Sequence, residues 1–291
     1  MILLLGNTGY VGHAFVRHFD SLGLDYTAAH RDAGDLSRPD DLARLVNRTS
    51  PDVIINAAGW PGSPNVDATE THRGACVASN LGVPLALQEV VRERNITLGH
   101  VSTGCIYFGI REDGSGFTEK DPPNFGFTAP TAGLYSRCKS LAEQVLVQNP
   151  RTYIWRLRMP FDHRDGKRNY LGKLLRYPRL LEATNSISHL GDFVASCWET
   201  ISRELPGGIY NLTNPGSVNT REIVAIMEAG GLGEGRDWQF FESETDFLQK
   251  AAKVRRASCV LNADKAVAAG LPMRPVREAI EDAVRRWEPM E

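Results

Sequence analysis

A glycine-rich heptapeptide, Gly6-Asn7-Thr8-Gly9-Tyr10-Val11-Gly12, follows directly on the apolar run Met1-Ile2-Leu3-Leu4-Leu5. An apolar run without polar alternation predicts a short strand buried on both faces, as in the middle of a parallel sheet. Beyond the glycines, Val11, Ala14, Phe15, His18, Phe19 and Leu22 recur at helical spacing, so Tyr10 to Leu22 reads as a helix. Strand, glycine turn and helix in this order open a dinucleotide-binding βαβ unit. A pyrophosphate must reach the free N–H groups and the positive dipole end of the helix, and side chains would block that approach. Residues 6–12 are therefore the candidate cofactor cradle. Their spacing is Gly-x-x-Gly-x-x-Gly rather than Gly-x-Gly-x-x-Gly, and a glycine triplet alone also fits a purely structural turn.

The alternation continues. Leu24 to Ala29 reads as a second strand ending in His30-Arg31-Asp32. An arginine there would meet a 2′-phosphate and an acid a ribose hydroxyl, so Arg31 points to NADP(H), with NAD(H) as the choice if Asp32 takes the ribose. Asp35 and Leu36 lead into a helix from Pro39; the Asp35 carboxylate suits the adenine amine or the loop itself. Val53 to Gly59 reads as a buried strand whose small end residues, Asn56-Ala57-Ala58, leave room for a cofactor outside the sheet. Asn80 to Arg94 is a helix and Asn95 to Ser102 a fourth strand. This β-α-β-α-β-α-β order predicts a doubly wound parallel Rossmann sheet. A Gly/Pro/Asp-rich loop from Phe108 to Thr131 and a helix from Gly133 to Gln148 follow. Thr152 to Leu157 closes a first domain, residues 1–158. Residues 159–291 alternate irregularly and predict a smaller, mixed α/β substrate domain, some of whose segments return to the sheet; Thr220 is its expected helix N-cap.

Tyr135 and Lys139 stand four residues apart, hence on one helical face. An ammonium beside a phenol favours the phenolate and lowers its pKa, which suits proton exchange with a carbonyl or alcohol oxygen. Thr103, at a strand end, can hydrogen-bond the same oxygen. The pair also suits an ordinary amphipathic helix; the glycine turn, Asn56-Ala57-Ala58 and Thr103 together favour chemistry.

These motifs resemble the nucleotide-sugar branch of the extended short-chain dehydrogenase/reductases. Gly62-Ser63-Pro64-Asn65-Val66-Asp67, Thr103-Gly104-Cys105-Ile106, Arg156-Leu157-Arg158-Met159-Pro160 and Ile209-Tyr210-Asn211-Leu212-Thr213-Asn214 extend the likeness to the dTDP-4-dehydrorhamnose reductases. Within these, the chain most resembles the plant-type 3,5-epimerase/4-reductases. The resemblance implies a nucleoside-diphosphate 4-keto-6-deoxy-hexose as substrate. It implies Asn65, Thr103, Gly104, Cys105, Asn169 and Arg256 as substrate contacts, Arg256 at the diphosphate. Cys105 and Lys173 would be the two acid/base groups that epimerisation needs, with Tyr135, Lys139 and Thr103 serving reduction. Cys105 otherwise reads as a small buried hydrophobe, Lys173 as an exposed helix charge and Arg256 as a solvated one. A reductase without epimerase activity and a non-catalytic NADP sensor are the rival readings. Homodimers are frequent in this family.

Other classes receive little support. The formal net charge of −2 gives no electrostatic footing for nucleic acid or an anionic membrane. No apolar run approaches membrane-spanning length, and the N-terminal run lacks a signal peptide's basic flank. Five scattered cysteines (Cys76, Cys105, Cys138, Cys197, Cys259) argue for a reducing cytoplasm. Seven histidines show no metal spacing.

Overall fold

The computed structural model describes residues 1–29 and 33–290. Arg31, the expected reader of the cofactor's ribose end, lies outside the described residues with His30 and Asp32. The first half of the chain runs β1 (Ile2–Leu5), α1 (Tyr10–Leu22), β2 (Tyr26–Ala28), α2 (Pro39–Thr49), β3 (Val53–Asn56), α3 (Ala68–Thr71), α4 (Arg73–Val77), α5 (Val83–Arg92), β4 (Thr97–Thr103), α6 (Leu134–Leu146) and β5 (Thr152–Leu157). The second half adds α7 (Tyr170–Arg176), β6 (Thr184–Asn185), α8 (Leu190–Ser202), β7 (Gly208–Asn211), β8 (Val218–Asn219), α9 (Thr220–Ala229), α10 (Glu244–Lys250), α11 (Asp264–Ala268) and α12 (Val276–Arg285).

Six strands form one parallel sheet in the order β2-β1-β3-β4-β5-β7. The apolar runs explain it. On β1, Ile2 and Leu4 face a core built with Phe15, Phe19, Trp155 and Phe193, while Leu3 and Leu5 face a second core with Leu42, Leu45, Leu87 and Val90. A third core, around Phe161, Leu174, Ile223, Met227 and Ile280, belongs to the second half. The strand order reverses between β1 and β3. In open parallel sheets the ligand crevice lies at such a reversal, outside the strands' C-terminal ends.

Three features depart from the sequence reading. A π turn at Ala78–Gly82 joins α4 to α5, so Arg73–Arg92 is a continuous helical run of 20 residues, within which an 18-residue window has a mean hydropathy of 1.2. By length and composition it could cross a membrane, contrary to the expectation that no run comes close. Starting the helix at Asn80 hid it. Cys76, Val83, Leu87 and Val90 from this run are buried in the fold. The cap of α9 is Asn219, whose side chain accepts from Glu222 N–H in a reciprocal capping box; Thr220 instead donates to the Leu181 carbonyl. The long loop after β4 is tied down at Gly109 and Phe117, which bridge to Cys259 and Leu261.

Helix α6 is fixed to the sheet by a buried ion pair. Arg156 on β5 donates from Nε and Nη2 to Glu143 at 3.1 and 2.7 Å, and Ser102 on β4 donates to the same carboxylate. The two side chains are 2% and 4% exposed. Removing one partner leaves the other charge buried and unpaired. Glu143→Gln is therefore expected to lower unfolding free energy by about 3–5 kcal/mol, read from urea midpoints. An unchanged midpoint would show that the pair does not hold α6.

Candidate active site

The turn after β1 is shaped by close backbone approach. Gly6 has φ +79°, and a Cβ there would lie 2.4 Å from the Ala58 nitrogen; a Cβ on Gly12 would lie 2.0 Å from the Gly6 oxygen. Both glycines therefore serve the protein's own packing. Gly9 does not: a Cβ would meet only the Gly6 oxygen, at 3.4 Å. The first bond of α1 runs from His13 N–H to the Gly9 carbonyl at 2.8 Å, so the N–H groups of Tyr10, Val11 and Gly12 have no acceptor within the helix. Gly9 keeps the approach to them open, which is the fit a pyrophosphate requires. Asn7 and Thr8 lie on the same turn, Thr8 exposed. Tyr10 is turned the other way, its hydroxyl donating to Asp162 at 3.3 Å across to the second half of the chain.

Asn56, Ala57 and Ala58 form the far wall. Asn56 is fully buried and accepts from Ala58 N–H at 3.0 Å. Asp35 is exposed and its carboxylate accepts from both the backbone N–H and the hydroxyl of Ser37. Of its two expected roles the structure displays the loop-stabilising one. Leu36 is half-buried beside it and packs on the second core.

Tyr135 and Lys139 sit on α6 as expected, but not as a simple phenol–ammonium couple. Lys139 Nζ donates to the Val101 carbonyl at 2.8 Å and lies 3.1 Å from His100 Nε2. Burial brings its ammonium down to about 8. The Tyr135 phenol is pushed up rather than down, first by desolvation and then by Cys105; Thr103 and Arg158 pull the other way. The sequence reading had the sign reversed because it considered the helical spacing and not the strand beneath.

Thr103 ends β4, and its hydroxyl accepts from Cys105 N–H at 3.1 Å, starting the 3₁₀ turn Gly104–Ile106. Gly104 is buried against Leu261 and Arg158. Cys105 is half-buried, and its Sγ accepts from Arg158 Nη1 at 3.1 Å. Arg158 is itself buried and donates onward to Asn185 Oδ1 at 2.7 Å and to the Ala257 carbonyl. Lys173, on α7, is not an exposed helix charge. Burial lowers its pKa, with the neighbouring Arg168 adding to the effect, and Cys105 is near enough to oppose it. The structure thus brings Cys105 and Lys173 into one electrostatic neighbourhood with Tyr135.

Two expected substrate contacts are otherwise engaged. Asn169 is fully buried as the N-cap of α7, accepting from Leu171 N–H and donating to the carbonyls of Asp162 and Arg164. It shapes the loop before Lys173 and has no amide face left for a sugar. Arg256 forms a two-pronged pair with Asp67 at 2.7 and 2.8 Å. Asp67 also accepts from Lys253 N–H and Val254 N–H, while Asn65 closes a turn by accepting from Asp67 N–H. Arg256 therefore clasps the Asn65-Val66-Asp67 loop to the later segment. Sequence reasoning missed His100 and Arg158 as site residues, having quoted Arg158 only within a motif.

A family model described as the RmlD substrate binding domain matches residues 1–288. The chain belongs to this family. The bifunctional dTDP-4-dehydrorhamnose 3,5-epimerase/dTDP-4-dehydrorhamnose reductase of Arabidopsis thaliana is 32% identical over 232 residues, 77% of this chain and 73% of the relative. The dTDP-4-dehydrorhamnose reductase of Burkholderia thailandensis is 28% identical, over 75% of this chain and 74% of its own. Among solved structures, the UDP-rhamnose synthase of Acanthamoeba polyphaga mimivirus superposes with a TM-score of 0.88 at 25% identity, covering 98% of both chains. A dTDP-4-dehydrorhamnose reductase of Clostridium acetobutylicum shares the fold at a TM-score of 0.82 and 17% identity. In this RmlD-family chain the two kinds of glycine should separate on mutation. Gly9→Ala is expected to keep or raise stability by up to about 1 kcal/mol while dinucleotide binding is lost. Gly12→Ala is expected to lose both. Calorimetry with and without NADP⁺ checks this, and undiminished binding by Gly9→Ala would refute the cradle.

Proposed function

We propose that this chain is an NADPH-dependent nucleotide-sugar 3,5-epimerase/4-reductase acting on a nucleoside-diphosphate 4-keto-6-deoxy-hexose, with an L-rhamnose-type sugar as product. The chain is an oxidoreductase of Rossmann fold; the substrate class and the epimerisation are the inferred parts. The observation that carries the reading is that Cys105 lies within electrostatic reach of both Lys173 and Tyr135, with the Thr103 hydroxyl at hand for the Tyr135 phenol. Likeness to a bifunctional epimerase/reductase supports it.

Epimerisation beside a ketone removes a proton from one face of the carbon and returns one to the other, through an enolate. Cys105 and Lys173 are the two groups with that task. Arg158 Nη1 donates to Cys105 Sγ at 3.1 Å and so fixes the position of the sulfur. Bound NADPH supplies the hydride that C4 receives. The oxygen at C4 must gain a proton as the hydride arrives, and Tyr135 donates it. A phenol held in its neutral form by desolvation is suited to give that proton, and Thr103 orients the same oxygen.

Solvent deuterium tests this reading. With NADPH and a dTDP- or UDP-4-keto-6-deoxyglucose in D₂O, the product is expected to carry deuterium at C3 and C5 while NADPH is consumed. Cys105→Ala should stop incorporation yet still consume NADPH with the already epimerised 4-keto sugar. NADPH consumption without deuterium at either carbon would leave a reductase alone.

A further inference from the structure

The sheet end under Lys139 holds a hydrogen-bond chain whose direction is fixed. Ala58 N–H donates to Asn56 Oδ1 at 3.0 Å, which turns the Asn56 amide nitrogen towards His100 Nδ1, also at 3.0 Å. An amide nitrogen only donates, so His100 Nδ1 accepts. The ring is 1% exposed, and burial keeps it neutral. A neutral imidazole that accepts at Nδ1 carries its proton on Nε2. Nε2 lies 3.1 Å from Lys139 Nζ. An ammonium has three donors and no lone pair, so an Nε2–H would confront a donor with a donor in a buried site. A free amine resolves this: its lone pair takes the Nε2–H while one of its own N–H groups goes to the Val101 carbonyl at 2.8 Å.

We propose that Asn56 and His100 are a positioning pair that holds Lys139 as the free amine in the cofactor-free enzyme at mildly alkaline pH, so that Lys139 can take a proton when Tyr135 gives up its own. The proposal rests on the reductase reading, since it assigns the use to which that proton is put. With Tyr135 a neutral phenol and Lys139 an amine, the resting pair carries no net charge, as its burial requires. A phenolate formed when Tyr135 gives up its proton needs a cation beside it, and the amine becomes one by taking a proton from water at its lone pair. The ammonium then has no acceptor at His100 and turns to the Tyr135 side. The other titratable and charged groups facing Lys139 are Cys138 and Glu143 on its own helix and Cys105 beyond β4; Cys76 on α4 touches Cys138. Glu143 favours the ammonium but is itself occupied by Arg156 and Ser102.

The direct test needs no variant. Long-range ¹H–¹⁵N NMR of the cofactor-free protein is expected to show His100 as the neutral Nε2–H tautomer. An Nδ1–H tautomer or an imidazolium overturns the proposal. The second test follows the Lys139 Nζ resonance of the cofactor-free protein through a pH titration, with wild type expected to show the free amine at mildly alkaline pH. In Asn56→Asp the carboxylate accepts from both Ala58 and the imidazole. The ring then carries its proton on Nδ1 and Nε2 accepts from an ammonium, so the His100 tautomer is expected to switch and the Lys139 titration to move up by at least about one pH unit. A tautomer and titration unchanged in Asn56→Asp contradict the proposal. Absence of NADP⁺ binding by wild type would instead sink the cofactor reading, and the tautomer result would still decide the hydrogen-bond chain.

Discussion

The buried pair between Arg156 and Glu143 is the contact on which the site depends. Tyr135, Lys139 and Glu143 are spaced at four-residue steps along α6, so they form one stripe facing the sheet. Glu143, at the far end, is bolted to β5 by Arg156 and to β4 by Ser102. That anchor sets the height of the helix over the strands. One turn nearer the crevice, Lys139 meets His100 and Val101 of β4; one turn further, Tyr135 reaches Thr103 where β4 ends. A charge pair so little exposed gains little net stability against an apolar replacement, but it penalises any other register of α6 severely.

The surroundings then divide the charges. Lys139 is directed downward into the sheet, while Arg158 touches the Cys105 sulfur and also pulls on the Tyr135 phenol. Asn185 and the Ala257 carbonyl receive its Nη2 donors, which helps it stay charged there. Asn169 caps α7 and so fixes where Lys173 emerges, while Arg256 and Asp67 clasp the Asn65-Val66-Asp67 loop to the later segment. Residues that resemble substrate contacts in sequence thus serve here to fix a helix start and to join two segments of the chain.

The strands, the glycine turn and the Tyr135/Lys139 face were legible because they rest on local patterns: apolar runs, glycine spacing and helical periodicity. What escaped depends on partners distant in the chain. Arg156 meets Glu143 from another element, and His100 is a lone histidine in an apolar strand, whose meaning comes from Asn56 on one side and Lys139 on the other. The sign of the Tyr135 shift was misread for the same reason, since desolvation is a property of the assembled crevice. Some local signals were present and overlooked. Asn219 with Glu222 is a capping box, and Asn169 before Tyr170 is an N-cap pattern.

The central claim is that this crevice passes a hydride to C4 of a nucleotide-linked 4-keto sugar while Tyr135 supplies the proton. Single-turnover reaction with NADPH deuterated at the nicotinamide C4 tests it most directly. The account predicts one deuterium at C4 of the product sugar, and a Tyr135→Phe enzyme that still binds NADPH but transfers the label at least about a hundredfold more slowly. NADPH binding with no label in any 4-keto nucleotide sugar, or undiminished transfer by Tyr135→Phe, would contradict it.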